Sequence, residues 1–346
     1  MREIHVIVDL GYGSSGKGLF AGYLAKRLRP DTIITAWGPN AGHTFVDAAG
    51  NKSVHIALPN GVVSDSLRRI LLGPGSVINP QLLEHEMALY PDLFKVCDLR
   101  IHECAAIVTE AHRAQESDYA FKIGSTMKGV GAAITQKIRR DPDAQNIAAV
   151  SLRGTPLEKY VTTHADYANF VRESRTILIE GSQGFSLSIN HGFYPYVTSR
   201  DCTTQQVLAE CAIPYGVQQD SVVRVYGVTR TYPIRVANRY KDGEMVGWSG
   251  PCYVDQNEIE WSDLGIAPEL TTVTKLPRRV FTLSLTQLRE AIKENGVQDI
   301  FLNFANYVKS EEQLREMVMH INRVSHARVI WLGYGPREDQ IVRVAV

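Results

Sequence analysis

Cysteine is scarce and unpatterned in this 346-residue chain: Cys97, Cys104, Cys202, Cys211 and Cys252 form no C-x-x-C pair. That excludes a zinc ribbon or a disulfide framework, and it suits a reduced, cytoplasmic compartment. Excess charge of either sign is missing too, since Lys plus Arg and Asp plus Glu both number 37. Nothing in the bulk charge therefore argues for nucleic acid or a membrane surface as partner. No apolar run approaches the roughly 20 residues that span a bilayer. The opening MREIHVIVDL enters a strand pattern at once, without the layout of a signal peptide. Internal repeats and low-complexity segments are absent as well. What is present is 44% apolar residues, enough to bury a substantial core. The expectation is a soluble intracellular enzyme.

Strand and helix signals alternate from the start. IHVIVDL (4–10) reads as a strand, 16–28 as a helix and TIITAW (32–37) as a second strand. A β-loop-α-β unit of this kind favours a mainly parallel sheet with flanking helices, an α/β fold. Further strands are expected at 53–58, 69–72, 176–180, 221–232, 299–304 and 328–334. Helices are expected at 80–90, 104–119, 154–173, 201–211, 284–295 and 310–323. The sequence places no internal boundary, and residues 1–346 are read as a single domain.

The loops carry more than connection requires. GPNAGHTF (38–45), KIGSTMKGVGAA (122–133), EGSQGFSLSINHGFYPYVTSRD (180–201) and LTTVTKLPRR (270–279) are rich in Gly, Ser, Thr and basic residues. Ligands of parallel sheets gather on loops at the carboxyl ends of strands, so these segments point to one composite site.

The first loop reads two ways. Gly11-Tyr12-Gly13-Ser14-Ser15-Gly16 fits the dinucleotide pattern G-x-G-x-x-G, and Gly11 through Lys17 fits the phosphate loop G-x-x-x-x-G-K. A dinucleotide fold needs an acid near the end of the second strand, and TIITAWGPN ends without one. Lys17 directly after Gly16 suits a phosphate cradle built from backbone N–H groups and a helix N-terminus. The phosphate loop is the better reading, with one flaw: Gly18 stands where a Ser or Thr would hold magnesium.

GYGSSGKG, GPNAGHT, GSTMKGVG, EGSQG and HGFYPYVTS occur in the order and spacing of adenylosuccinate synthetase, and the chain resembles that family from about residue 4 to the late GPRE. The resemblance implies a two-step ligation. A nucleoside triphosphate phosphorylates O6 of a 6-oxopurine nucleotide, and the amino group of aspartate then displaces the phosphate. It implies that Gly13, Ser15, Gly16, Lys17 and Gly18 hold the donor phosphates, and that Gly335 and Pro336 belong to the donor site. His43 resembles the family's catalytic His, and Gln183 the contact near the purine oxygen. Asn40, Ser125, Thr126 and Thr198 resemble the cradle of the purine 5′-phosphate. Arg140 matches an Arg that crosses a homodimer interface to the partner's nucleotide. Thr271 and Thr272, with Lys275, Arg278 and Arg279 sharing the basic role, resemble the aspartate-binding loop, where Arg forks suit carboxylates. The backbone carbonyl of Gly42 resembles a ligand for Mg2+.

Two departures from the family pattern sharpen the reading. The family carries an Asp, its general base and a metal ligand, where Ser14 stands here. Ser14 keeps a catalytic, substrate-binding and metal-binding expectation, but a neutral hydroxyl cannot replace a base whose loss typically costs ~10²–10⁴-fold. The shorter side chain leaves room beside purine C2, where guanine carries an amino group that Ser14 Oγ could accept. Ser at this place marks a bacteriophage branch of the family that acts on dGMP and aspartate for 2-aminoadenine DNA, and this chain resembles that branch. The second departure is FLNFANY (301–307). Asn303 and Asn306 stand where the family places an acid that reads the guanine of GTP. Asn suits the edge of adenine, so ATP or dATP is expected as donor. The rival expectations are an ordinary adenylosuccinate synthetase using IMP and GTP, and a nucleotide-binding regulatory protein that has lost catalysis.

Overall fold

The computed structural model describes residues 2–117, 120–214, 221–271 and 275–344. Its frame is one ten-stranded sheet, whose strands are numbered here in chain order. They are β1 (Arg2–Asp9), β2 (Thr32–Thr35), β3 (Arg69–Leu72), β4 (Asp98–His102), β5 (Val161–Thr162), β6 (Thr176–Glu180), β7 (Ser221–Arg230), β8 (Asp299–Asn303), β9 (Arg328–Gly333) and β10 (Ile341–Arg343). The spatial order is β10-β9-β8-β7-β1-β6-β2-β3-β4-β5. Every pairing is parallel except the last strand's with β9.

The central strand explains the sheet's composition. Along β1, Ile4, Val6 and Val8 face one core and Ile7 the other. A strand buried on both faces needs apolar residues at nearly every position, as parallel sheets covered by helices do. Helices α1 (Lys17–Leu28) and α2 (Pro80–Ala88) cover one face. Helices α5 (His164–Glu173), α6 (Thr204–Glu210), α7 (Leu285–Asn295) and α8 (Glu311–Val324) cover the other. Phe20 of α1 stacks on Phe301 of β8 with ring centroids 4.7 Å apart. Strands β2–β5 extend to one side of β1 and β7–β10 to the other, so the loop after β1 opens at a topological switch point.

Most expected elements form, and four differ. The region expected as a helix from 104 contains a short strand, Ala106–Ile107, paired with Val77–Ile78; helix α3 (Glu110–Ser117) starts only afterwards. The expected helix 154–173 is split. Glu158–Tyr160 is a 3-10 turn, Val161–Thr162 is the edge strand β5, and α5 begins at His164. The β-branched pair suits a strand, and Thr163 caps α5 by accepting from Asp166 N. The strand expected at 53–58 stops at His55 and pairs with His43–Val46 outside the main sheet. The amides of residues 56–58 bond to the carboxylate of Glu86 instead. Within the expected loop 122–133, helix α4 (Val130–Arg139) begins at Val130. Among the described residues, no helix is long and apolar enough to cross a membrane.

Candidate active site

The loop after β1 is held from beneath by an acid. Asp9, the last residue of β1, accepts from Gly11 N at 2.9 Å and Gly13 N at 3.2 Å, and its other oxygen meets Lys17 Nζ at 3.1 Å. Lys17 also donates to the carbonyl of Gln183 at 2.6 Å. The loop and the segment after β6 are thus one unit, joined again by Ser186 N donating to Gly11 O at 3.0 Å. Gly13 and Ser14 have φ of 81° and 55°, and Gly16 has φ of 94°. The turn they build leads into the N-terminus of α1, a kind of segment that receives phosphate. Ser14 is exposed at its rim and Ser15 is buried.

The structure explains the missing hydroxyl after Lys17. A Cβ on Gly18 would stand 2.8 Å from Thr44 N and 2.9 Å from Thr44 O. Thr44 lies in the strand His43–Val46 that packs on α1, so the close approach that positions His43 leaves no room for a Ser or Thr at 18.

His43 is buried, and its Nδ1 lies 2.6 Å from Glu180 Oε1. Glu180 ends β6, is itself buried, and accepts from Asn60 N at 2.8 Å and Asn60 Nδ2 at 3.2 Å. A fixed carboxylate at Nδ1 holds the imidazole with Nδ1–H directed at Glu180 and leaves Nε2 for chemistry. Trp37 packs on the ring at a centroid distance of 4.1 Å. Gly42, directly before, is exposed. Gln183 is half-buried with φ of 60°.

The remaining expected residues fall into three groups. Ser125 and Thr126 are half-buried. Ser125 Oγ accepts from Met127 N, and Arg239 donates to the Ser125 carbonyl at 2.9 Å. Below them Glu116 accepts from Gly129 N and Gly131 N at 2.7 and 2.6 Å, which fixes the start of α4. Asn40 is half-buried, as is Thr198, whose amide bonds to Leu187 O at 2.7 Å. Arg140 is exposed at the end of α4.

In the basic loop, Thr271 is buried and Lys275 exposed, whereas Thr272 lies outside the described residues. Arg279 forks onto Glu258 at 2.7 and 2.6 Å and bonds Ser249 and Gly250. Its guanidinium is therefore engaged within the protein. Arg278, by contrast, makes no hydrogen bond or ion pair with its guanidinium among the described residues; burial lowers its pKa, partly offset by Glu269.

The expected donor-base readers also separate. Asn303 is buried, with Nδ2 donating to Ser15 O at 3.1 Å and Oδ1 accepting from Phe304 N at 2.9 Å. Both polar ends are engaged within the protein, and the amide packs against the loop: a Cβ on Gly16 would fall onto this carboxamide. Asn306 is exposed in the next turn, Pro336 is exposed and Gly335 half-buried.

The motifs alone left several residues without a role: Asp9, Glu180, Arg230 and Glu269. A signal was available for three of them. Asp9, Glu180 and Arg230 are buried charged residues at the carboxyl ends of strands, preceded in β1 and β6 by apolar, buried residues. Burial of a charge there requires a partner: Asp9 finds it in the loop that follows, Glu180 in His43 and Asn60, and Arg230 in the Ser14 carbonyl and Glu269.

Comparison with known proteins places this geometry in context. The family model of adenylosuccinate synthetase matches residues 6–149 and 142–314. A protein of Salmonella phage PMBT28 named N6-succino-2-amino-2'-deoxyadenylate synthase is 44% identical over 363 residues, covering 98% of this chain and 97% of that one. The succinoaminodeoxyadenylate synthetase of cyanophage S-2L, solved bound to dGMP and dATP as an energy donor, superposes with a TM-score of 0.91. Its identity is 44%, with 99% and 95% of the two chains covered. The fully ligated adenylosuccinate synthetase of Plasmodium falciparum shares the fold, at a TM-score of 0.77, 20% identity and 99% coverage of both chains.

Proposed function

The chain belongs to the adenylosuccinate synthetase family, and from that premise we propose that it joins L-aspartate to dGMP. The product is N6-succino-2-amino-2'-deoxyadenylate, with dATP or ATP as phosphoryl donor. The observation that carries this reading is the near-complete coverage, at 44% identity, of phage synthases with that product and of a structure holding dGMP and dATP. Ser14 at the loop rim agrees with it, since a short side chain leaves room for the 2-amino group of guanine.

The site's own residues supply the chemistry. The loop amides and Lys17 bind the donor phosphates, Lys17 exchanging part of its contact with Asp9 and the Gln183 carbonyl for phosphate oxygens. His43, held at Nδ1 by Glu180, offers Nε2 to charge developing on the purine oxygen and the phosphoryl group in transit. Such transfers depend mainly on position and charge stabilisation. Asn40, Ser125, Thr126 and Thr198 hold the 5′-phosphate, and Gln183 meets the purine edge. Arg278, whose guanidinium has no hydrogen bond or ion pair among the described residues, binds an aspartate carboxylate, with Lys275 and Thr271 of the same loop.

Mg2+ would neutralise phosphate charge. It keeps several waters and takes few protein oxygens alongside substrate phosphates; Ser14 Oγ and the Gly42 carbonyl, both on exposed residues, fit that need. The protein works as a homodimer, with Arg140 of one protomer reaching its partner's nucleotide. Donor-base recognition belongs to Asn306 and the Gly335–Pro336 turn, because Asn303 is engaged elsewhere. Phosphate release dependent on both dGMP and aspartate tests the activity. Release with IMP and GTP but not with dGMP would return the chain to ordinary adenylosuccinate synthesis.

A further inference from the structure

Arg230 ends β7 and is 1% exposed, yet its guanidinium touches three parts of the site. Nη1 donates to the Ser14 carbonyl at 3.1 Å. Nη1 and Nη2 together fork onto the carboxylate of Glu269, the nearer contact being Nη2 to Oε1. The guanidinium carbon lies 3.8 Å from the centre of the Phe304 ring, and Tyr307, in the same turn, donates to Glu269 Oε1 at 3.0 Å. Glu269 stands at the neck of the basic loop. Its backbone carbonyl accepts from Arg278 N at 2.8 Å, Thr271 N donates to Leu276 O at 2.9 Å, and Leu270 bridges Pro277. On the other strand of the neck, the Arg278 carbonyl accepts from Trp261 Nε1 at 2.7 Å.

We propose that the Arg230–Glu269 pair is a strut that sets the basic loop at a fixed distance from Ser14, and so positions aspartate against the purine carbon it attacks. Both residues are positioning residues. The proposal rests on the ligase reading above. The geometry favours it over a simple stabilising pair because both ends of the strut are functional segments. One end holds a carbonyl of the phosphate loop, and the other holds the residue that pairs, backbone to backbone, with Arg278. A planar fork fixes both direction and distance, which a flexible ammonium cannot do. Displacement of a reacting group by 1 Å costs on the order of 10²-fold. Only the second half-reaction involves aspartate. In it the aspartate nitrogen bonds to C6, the C6–O bond to the phosphoryl oxygen breaks, phosphate leaves and the nitrogen loses a proton. Errors in the strut should fall on that step.

The test separates the two half-reactions in Glu269→Gln and Arg230→Lys. The first step alone is followed without aspartate, by dGMP-dependent scrambling of oxygen-18 from the β,γ-bridge of labelled dATP. Glu269→Gln keeps the Arg230–Ser14 contact, so scrambling should stay within about threefold of wild type. Its kcat/KM for aspartate should fall about tenfold or more, on the same positional argument. Arg230→Lys should lose at least as much with aspartate. Equal loss of scrambling and ligation in Glu269→Gln would overturn the proposal and leave a pair that only holds the loop together. Unchanged kcat/KM for aspartate in both variants would overturn it too. Wild-type protein with neither dGMP-dependent scrambling nor phosphate release dependent on dGMP and aspartate would overturn the ligase reading itself, and the strut with it.

Discussion

On the proposed function, much of the chemistry rests on two single side chains, Ser14 and His43. Ser14 occupies a left-handed conformation that Asp tolerates better than most residues. Ser14→Asp should therefore fold normally while filling the space beside purine C2. The ratio of kcat/KM for dGMP over IMP should drop about tenfold or more, within the range typical of pocket shape discrimination. An unchanged ratio would remove Ser14 from specificity. His43→Asn should lower kcat on the order of 10²-fold or more. Glu180→Gln should lower it less, and the double variant should be no worse than His43→Asn, because the two act as one unit. Additive losses in that cycle would mean that Glu180 acts on something other than His43. At this scale the sequence was partly legible. His43, Lys17 and Gln183 stand inside recognisable motifs with a role attached, whereas Glu180 and Arg230 join the site only through partners 137 and 39 residues away.

Among the elements, the recurring device is a buried carboxylate beneath a glycine-rich or irregular segment. Asp9 holds the phosphate loop, Glu86 the amides of 56–58, Glu116 the start of α4 and Glu180 the amide of Asn60. Each satisfies N–H groups that a loop cannot bond internally, and leaving such a group unpaired costs roughly 1–3 kcal/mol. Asn303 does the same from the amide side by holding Ser15 O. Asn303→Asp would place a carboxylate against that carbonyl in place of a donor. KM for the donor nucleotide should rise about tenfold, in keeping with the loss of one buried hydrogen bond. A steady-state titration of dATP checks this, and an unchanged KM would show that the loop keeps its shape without Asn303. Strand positions were readable because buried parallel strands are continuous apolar runs. The split of 154–173 was not: Val161 and Thr162 add an edge strand only because β4 is there to pair with them. Asn303 was expected to face a base. What decides its role is the positive φ of Gly16 and the contact that follows, neither of which a motif records.

Across the whole molecule, five of the ten strands bring the segments that begin at residues 10, 36, 181, 231 and 304 to the carboxyl edge of one sheet, and a histidine outside these segments should tie stability to pH. His102, at the end of β4 and against His164, is pushed down to about 4 by burial. Its folded-state pKa lies below the unfolded value of 6.5, so the unfolded chain binds the extra proton first. Stability from this group is full above about pH 6.5 and is lost as pH falls toward 4. The effect is at most about 3 kcal/mol from a shift of that size. Urea unfolding at pH 7.5 and 5 should show the loss, and His102→Gln should flatten the difference; an equal slope in both proteins would exclude this histidine. The central claim concerns the substrate. Phosphate release should be measured with aspartate, Mg2+ and dATP, offering dGMP or IMP as acceptor, and repeated with GTP as donor. The account predicts aspartate-dependent release with dGMP and dATP, and little with IMP. Release with IMP and GTP while dGMP is left untouched would contradict it.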